Sequence, residues 1–134
     1  MRALKSHICK ALPVGSIVNV ADNSGARKVQ IINVAKRRGV KRRRTSAGIG
    51  DMIYAVVKDG NPDMKHKIIQ AVVVRQKEGI RRPNGIRVTF DDNAVVVLKD
   101  PIEGEPKGTA IKGPIAREVT LRWPHIGKIA GAVV

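Results

Sequence analysis

Short runs of Val, Ile and Ala, each closed by a turn rich in Gly, Asn or Asp, recur through most of this chain. Branched Cβ atoms pack well on a pleated surface and lose rotamer freedom in a helix, so such runs read as strands. Strands are predicted over residues 16–21, 27–35, 51–58, 69–77, 86–90 and 94–98. Asp22-Asn23-Ser24-Gly25 and Asp91-Asp92-Asn93 supply turns, and Asn84-Gly85 is a strong hairpin signal. The longest run centres on Ala71-Val72-Val73-Val74 and does not alternate, which predicts a strand covered on both faces or touching a partner. Residues 86–90 do alternate, with Ile86, Val88 and Phe90 expected on one face. Strands at this spacing with no helices between them predict a small antiparallel barrel, in which closure removes exposed edges.

The end of the chain reads differently. Pro101, Gly104, Pro106 and Gly108 make residues 100–108 an irregular connection. From Arg117 onward, Val119, Trp123, Ile126, Ile129 and Ala130 recur at helical spacing, and Pro124 divides them into two short helices. That stripe is expected to plug against the barrel. The 134 residues are expected to form a single domain, with the barrel over about 14–112 and the helical part over about 114–131.

Charge narrows the partners. With 26 Lys and Arg against 11 Asp and Glu the net charge is +15, which repels itself in a compact state unless a polyanion neutralises it. No apolar run is long enough to span a bilayer and the first ten residues lack the apolar block of a signal peptide, so nucleic acid is expected rather than membrane. The single Cys9 forms no disulfide framework, suits a reducing cytosol, and reads as a small buried hydrophobe.

The cations cluster. In Lys36-Arg37-Arg38-Gly39-Val40-Lys41-Arg42-Arg43-Arg44 seven of nine positions are cationic, and no acid occurs between Asp22 and Asp51. Lying between two strands, this is a hairpin arm held out from the barrel, and its arginine forks suit bidentate phosphate contacts. A second set, Arg75, Lys77, Arg81, Arg82 and Arg87, surrounds the Asn84-Gly85 hairpin, with Arg75 and Lys77 of one parity and so expected on one face. Arg27 and Lys28 open the second predicted strand. All of these are candidate RNA ligands. Asp91, Asp92, Asp100, Glu103 and Glu105 gather in one segment, which is expected to lie away from phosphate.

Other chemistries find no support. His7, His66 and His125 are far apart and no Cys or His pair has ligand spacing, so no metal or other cofactor is expected. Asp91-Asp92 has no accompanying nucleophile, and no glycine pattern cradles a dinucleotide or nucleotide, so neither catalysis nor a small-molecule substrate is expected. Only Tyr54, Phe90 and Trp123 are aromatic, too few for a platform that stacks single-stranded bases. The expected ligand is therefore folded RNA, gripped through phosphates, sugars and shape.

These residues resemble a known family, the universal large-subunit ribosomal protein number fourteen. The resemblance rests on Ala71-Val72-Val73-Val74, Asn84-Gly85, Phe90, Asn93 and Val96-Val97 at the family's spacings. It rests also on Asn19-Val-Ala-Asp-Asn-Ser-Gly-Ala-Arg27, and on Gly113-Pro114 with Arg117-Glu118. It covers about residues 14–131. The lead through Leu12-Pro13-Val14-Gly15 and the Trp123-Pro124 pair resemble the archaeal and eukaryotic branch, and the short N-terminus the archaeal one. The resemblance implies a closed five-stranded barrel with short C-terminal helices in the cytoplasmic large ribosomal subunit. Implied partners are large-subunit rRNA, neighbouring ribosomal proteins, small-subunit rRNA at an intersubunit bridge, and a factor that keeps the subunits apart. Thr109, Lys112 and Arg117 become candidate bridge or factor contacts. A chromatin-like coat on duplex DNA and an RNA-modifying enzyme are the alternatives; the family signature opposes the first, and the missing catalytic constellation the second.

Overall fold

The computed structural model describes residues 3–37 and 39–134. Its elements run β1 (Leu12–Pro13), β2 (Ile17–Val20), β3 (Ala26–Val34), β4 (Ser46–Ala47), β5 (Met52–Gly60), β6 (Ile68–Arg75) and β7 (Ile80–Arg81). They continue with β8 (Arg87–Val88), β9 (Ala94–Asp100), β10 (Glu105–Pro106), β11 (Ile111–Ile115), α1 (Arg117–Arg122), α2 (Pro124–Ile129) and β12 (Ala130–Val133).

β2, β3, β5, β6 and β9 close into the expected five-stranded barrel. The seams β2–β3, β3–β5, β5–β6 and β6–β9 are antiparallel. The closing seam, β2–β9, is parallel, so the expectation of a wholly antiparallel barrel is corrected. The reason is parity: an odd number of strands cannot alternate direction all the way round a ring. Where β2 leaves β9, Asp22 takes over, its Oδ2 accepting the Val97 N–H at 2.9 Å while Lys107 N–H reaches the Val97 carbonyl. Oδ1 of the same buried carboxylate accepts from Ser24 Oγ at 2.6 Å, so the predicted turn is also a seam closure.

The barrel interior is filled by cross-strand rows such as Val18–Val29–Val57 and Ile53–Ala71–Val97, each residue buried. The unalternating run on β6 is covered twice. Ala71 and Val73 face the interior, and Val72 lies in the outer row Met52–Val72–Val96, which is also buried. Over that outer face sits the C-terminal part, whose Val119, Trp123 and Ile126 join the same core, with Ile129 and Ala130 packed partly against it. Trp123 Nε1 donates to the Gly50 carbonyl at 2.9 Å and Ala116 N–H to that of Val74 at 3.3 Å, fastening helices to barrel. Pro124 opens α2, as predicted.

Several boundaries move. β6 stops at Arg75, because Gln76 turns inward, fully buried, to receive Ile49 N–H on its side-chain oxygen and to donate to the Cys9 and Glu78 carbonyls. The strand expected over 86–90 shrinks to Arg87–Val88. Val88 is buried, Phe90 half-buried and Ile86 exposed, so the three do not share one covered face. The helix expected to run to 131 ends at Ile129, and Ala130–Val133 pairs in parallel with β11. β10 interrupts the connection expected to be irregular. Cys9 is exposed, not buried, because the leading segment alternates and its odd positions from Ala3 to Cys9 point outward. No helix among the described residues is long and apolar enough to cross a membrane.

Candidate nucleic-acid interface

The arm leaves the barrel after β3 and returns through β4. Its tip is a tight turn in which Arg43 N–H donates to the Val40 carbonyl at 3.0 Å, with Arg42 at a φ of 62°. Lys36, Arg37, Lys41, Arg42, Arg43 and Arg44 are all exposed; Arg38 lies outside the described residues. Asp51 anchors the root. This buried carboxylate accepts from Lys10 Nζ at 2.7 Å, Gly48 N–H at 3.0 Å and Arg122 Nη1 at 3.3 Å, with Arg37 Nη2 at 3.8 Å. The acid that ends the acid-free stretch thus holds the arm's base to the N-terminal segment and to α1.

The second cation set divides in two. Arg81 and Arg87 are exposed and directly opposite each other in the β7–β8 register. Like charges facing across a strand pair repel, and an anion lying between them would relieve this. Lys77 is exposed as well, its N–H donating to Asn93 Oδ1. Arg75 and Arg82 are instead used inside the protein. Arg75 grips Asp92 through Nε at 2.9 Å and Nη2 at 3.2 Å, while Nη1 reaches the Lys112 and Pro114 carbonyls at 2.7 and 3.1 Å. Gly113 must lack a Cβ, which would lie 2.7 Å from that Nη1. Buried Arg75 and exposed Lys77 therefore do not share a face, since the strand ends between them.

Arg82 forks onto the buried Glu118, Nε to Oε1 at 2.9 Å and Nη2 to Oε2 at 3.2 Å, and also donates to the Val134 carbonyl. Ser6 Oγ adds a 2.7 Å bond to Glu118 Oε1. Burial pushes the Glu118 carboxyl up, but the hydrogen bonds from Arg82 and Ser6 outweigh it and hold the group below its ordinary value. One carboxylate thereby ties the hairpin, the N-terminal segment and the helical part together.

Arg27 and Lys28 are exposed at the far end of β3 from the arm. There the β2–β3 and β5–β6 turns meet, Ala26 opposite Gly60 and Asn61 N–H on the Gly25 carbonyl. This brings in the exposed Lys58, Lys65 and Lys67, which sequence reasoning missed because Asp59 and Asp63 stand among them in sequence. Also missed was a surface groove of 480 Å³ lined by the cations Lys99, Lys107 and Lys128 beside Thr109, with Glu105 and the His125 ring in the same lining. Those cations come from segments up to 29 positions apart in sequence, so no local run marks them.

Thr109, Lys112 and Arg117 are exposed on the C-terminal part. Asn23 positions Thr109 by accepting its N–H and donating to its Oγ1, both at 2.8 Å. Within the acidic segment, Asp92 serves Arg75, and Asp100 Oδ1 accepts the Ile102 N–H at 2.8 Å. Among the described residues no group of His, Cys, Asp or Glu is arranged to hold a metal ion.

The chain resembles proteins from archaea along its whole length. The large ribosomal subunit protein uL14 of Methanoregula boonei is 52% identical over 134 residues, covering all of both chains. That of Nanoarchaeum equitans is likewise 52% identical and that of Methanocorpusculum labreanum 50%, again over all of both chains. Residues 11–134 match the model of the family described as ribosomal protein L14p/L23e, and the chain belongs to that family.

Proposed function

We propose that this protein is a structural, non-enzymatic constituent of the cytoplasmic large ribosomal subunit that grips folded large-subunit rRNA through its backbone. The observation that carries the reading is the arm, with six described cations, all exposed, on a root fixed by Asp51. The facing Arg81–Arg87 pair and the exposed Lys77, Arg27 and Lys28 extend the footprint. Arg75 and Arg82 shape the scaffold for it. Base stacking has little to work with, since Trp123 is buried and Tyr54 and Phe90 are half-buried.

Such a grip is led by counterion release. Affinity for an rRNA fragment should fall with salt at a log–log slope of about −0.7Z to −0.9Z for Z neutralised phosphates. A slope near zero would rule out the phosphate-led mode, and equal affinity for duplex DNA of the same charge density would favour the DNA-coat reading.

The family resemblance adds finer assignments. Neighbouring ribosomal proteins, a bridge to small-subunit rRNA and a factor that keeps the subunits apart are the further partners, with Thr109, Lys112 and Arg117 on the surface that meets bridge or factor. The Asn23–Thr109 hydrogen bonds support this, because they tie the loop to the turn that follows β2.

A further inference from the structure

Resting on that ribosomal reading, we infer that the leading segment of the chain completes a phosphate seat, in which His7, Arg81 and Arg87 stand in one outward row and hold a single backbone phosphate of folded rRNA. Residues 3–10 precede β1 and belong to no strand of the barrel. They nevertheless run beside β7. His7 N–H donates to the Arg81 carbonyl at 2.8 Å and Arg81 N–H to the His7 carbonyl at 3.1 Å, an antiparallel pairing that widens the β7–β8 hairpin by one chain. Arg81 in turn lies opposite Arg87. Directly opposed residues of an antiparallel sheet point to the same face, so the three side chains form one row.

The same register fixes which face they take. Ser6 and Arg82, each one position along from that pairing, turn the other way and meet on Glu118, 2.7 and 2.9 Å from its Oε1. The clamp occupies the covered face of this small sheet, and His7, Arg81 and Arg87 are all exposed on the other. The lead is also held beyond the pairing. Lys10 Nζ lies 2.7 Å from Asp51, and a Cβ on Gly48 would stand 2.9 Å from the Cys9 carbonyl oxygen.

Spacing and charge select the ligand. His7 and Arg81 exchange both N–H···O bonds, which sets their Cα atoms about 5.5 Å apart. Arg82 N–H donates to the Ile86 carbonyl, so Arg81 and Arg87 are the neighbouring pair without such bonds, about 4.5 Å apart with their side chains closer. The row is about 10 Å across at the backbone, a span that two long guanidinium arms and an imidazole can close on one group. Gly79 leaves room on this face for the Arg87 stem, since a Cβ there would lie 3.1 Å from its Cγ and Cδ. Among the described residues neither Arg81 nor Arg87 is in an ion pair, whereas Arg75 and Arg82 each have a carboxylate. Guanidinium forks match phosphate oxygens, and an imidazole has an N–H to donate in either tautomer. A carboxylate from a protein would bring a single charge. The exposed cations continue to Lys5, two positions before His7 and of the same parity, which suits a backbone that repeats its charge at every nucleotide.

The test is binding of the full chain to protein-free large-subunit rRNA. Wild type is compared with His7→Ala, with the Arg81→Ala and Arg87→Ala pair, with all three alanines together, and with the arm variant Arg42→Ala, Arg43→Ala, Arg44→Ala. His7→Ala alone should weaken binding about tenfold and the arginine pair more. Added to the arginine pair, His7→Ala should cost less than about threefold, because the phosphate is then no longer held beside it. His7→Lys, which keeps a donor at the same backbone position, should bind within about threefold of wild type and so separates lost donation from a disturbed lead. All three side chains are exposed, and Tm of the free variants should be unchanged or raised as the repulsion is relieved. Unchanged affinity for His7→Ala, losses that simply multiply, or His7→Lys binding as weakly as His7→Ala overturn the shared seat. Normal rRNA affinity with failure to enter large subunits assigns the row to a protein carboxylate and overturns it too. If the row variants bind normally while the arm variant does not, the seat fails and the RNA grip stands. If the row variants lose affinity and the arm variant does not, the seat stands and the arm leaves the footprint. No affinity of wild type for the rRNA overturns both.

Discussion

Replacing Glu118 with Ala removes the acceptor for three hydrogen bonds, from Ser6 Oγ, Arg82 Nε and Arg82 Nη2, inside a cluster where both charged side chains are 10% exposed or less. Breaking a buried ion pair from one side typically costs about 3–5 kcal/mol, because the remaining charge stays desolvated. Arg82 keeps the Val134 carbonyl as an acceptor, so Glu118→Ala belongs near the lower end, about 3 kcal/mol. Arg82→Ala leaves a buried carboxylate with only Ser6 and local backbone donors and should cost at least as much. For a chain of this length the unfolding entropy is about 0.28 kcal/mol/K, so a 3 kcal/mol loss lowers Tm by about 11 °C. Replacing both groups by apolar residues of similar volume, Arg82→Met with Glu118→Leu, should recover most of the loss, since neither charge is then stranded.

The assay is thermal and urea unfolding of wild type, Glu118→Ala, Arg82→Ala and the variant carrying both alanines, whose cycle reports the coupling, with the Arg82→Met and Glu118→Leu pair measured beside them. A coupling below about 0.5 kcal/mol, where non-interacting sites usually fall, would refute the clamp. The pH dependence has a definite sign. Glu118 has a folded-state pKa below its unfolded value, so its stabilisation is fully present above the ordinary carboxylate range and is lost as pH falls through the lowered value. Wild type should therefore lose stability more steeply than Glu118→Gln as pH is taken below about 4.

Three other perturbations probe separate parts of the molecule. Gly104 has a φ of +76° and an added Cβ would lie 2.6 Å from Trp123 Cε3, so Gly104→Ala should destabilise by about 2–4 kcal/mol in urea unfolding; a loss under 1 kcal/mol would show that this loop yields. Arg42→Ala, Arg43→Ala and Arg44→Ala together should leave Tm nearly unchanged and flatten the salt slope of rRNA binding by about 2–3; an unchanged slope removes the arm from the interface. Lys112→Glu should leave large-subunit assembly intact and weaken subunit joining or factor docking; failed assembly with unchanged joining would overturn the assignment of that surface.

The barrel was legible because its information is local. Branched runs, an Asn84-Gly85 hairpin and the Asp22-to-Gly25 turn each carry their own signal, and Pro124 divides the helices where backbone chemistry says it must. The arm was legible for the same reason, its cations being consecutive. What could not be read was anything decided by which segments meet. Arg75 and Arg82 look like Arg81 and Arg87 in sequence, and only the arrival of Asp92 and Glu118 from 17 and 36 residues away draws the first two inward. The parallel β2–β9 seam follows from strand parity once the barrel closes with five strands, a number that came from the family resemblance. Cys9 escapes burial because Leu4 and Ile8, of the opposite parity, take the more covered side of the leading segment, and Ile8 packs against the core. The outward row across β2, β3, β5 and β6 belongs to this class as well. Ile17, Val56 and Ile68 each read as ordinary strand residues, and only the register of three seams turns them into one surface. That division has a functional meaning. Contacts with a polyanion of uniform backbone can be encoded by runs of like charge, whereas a seat fitted to one group must be assembled from side chains that the fold itself brings into line.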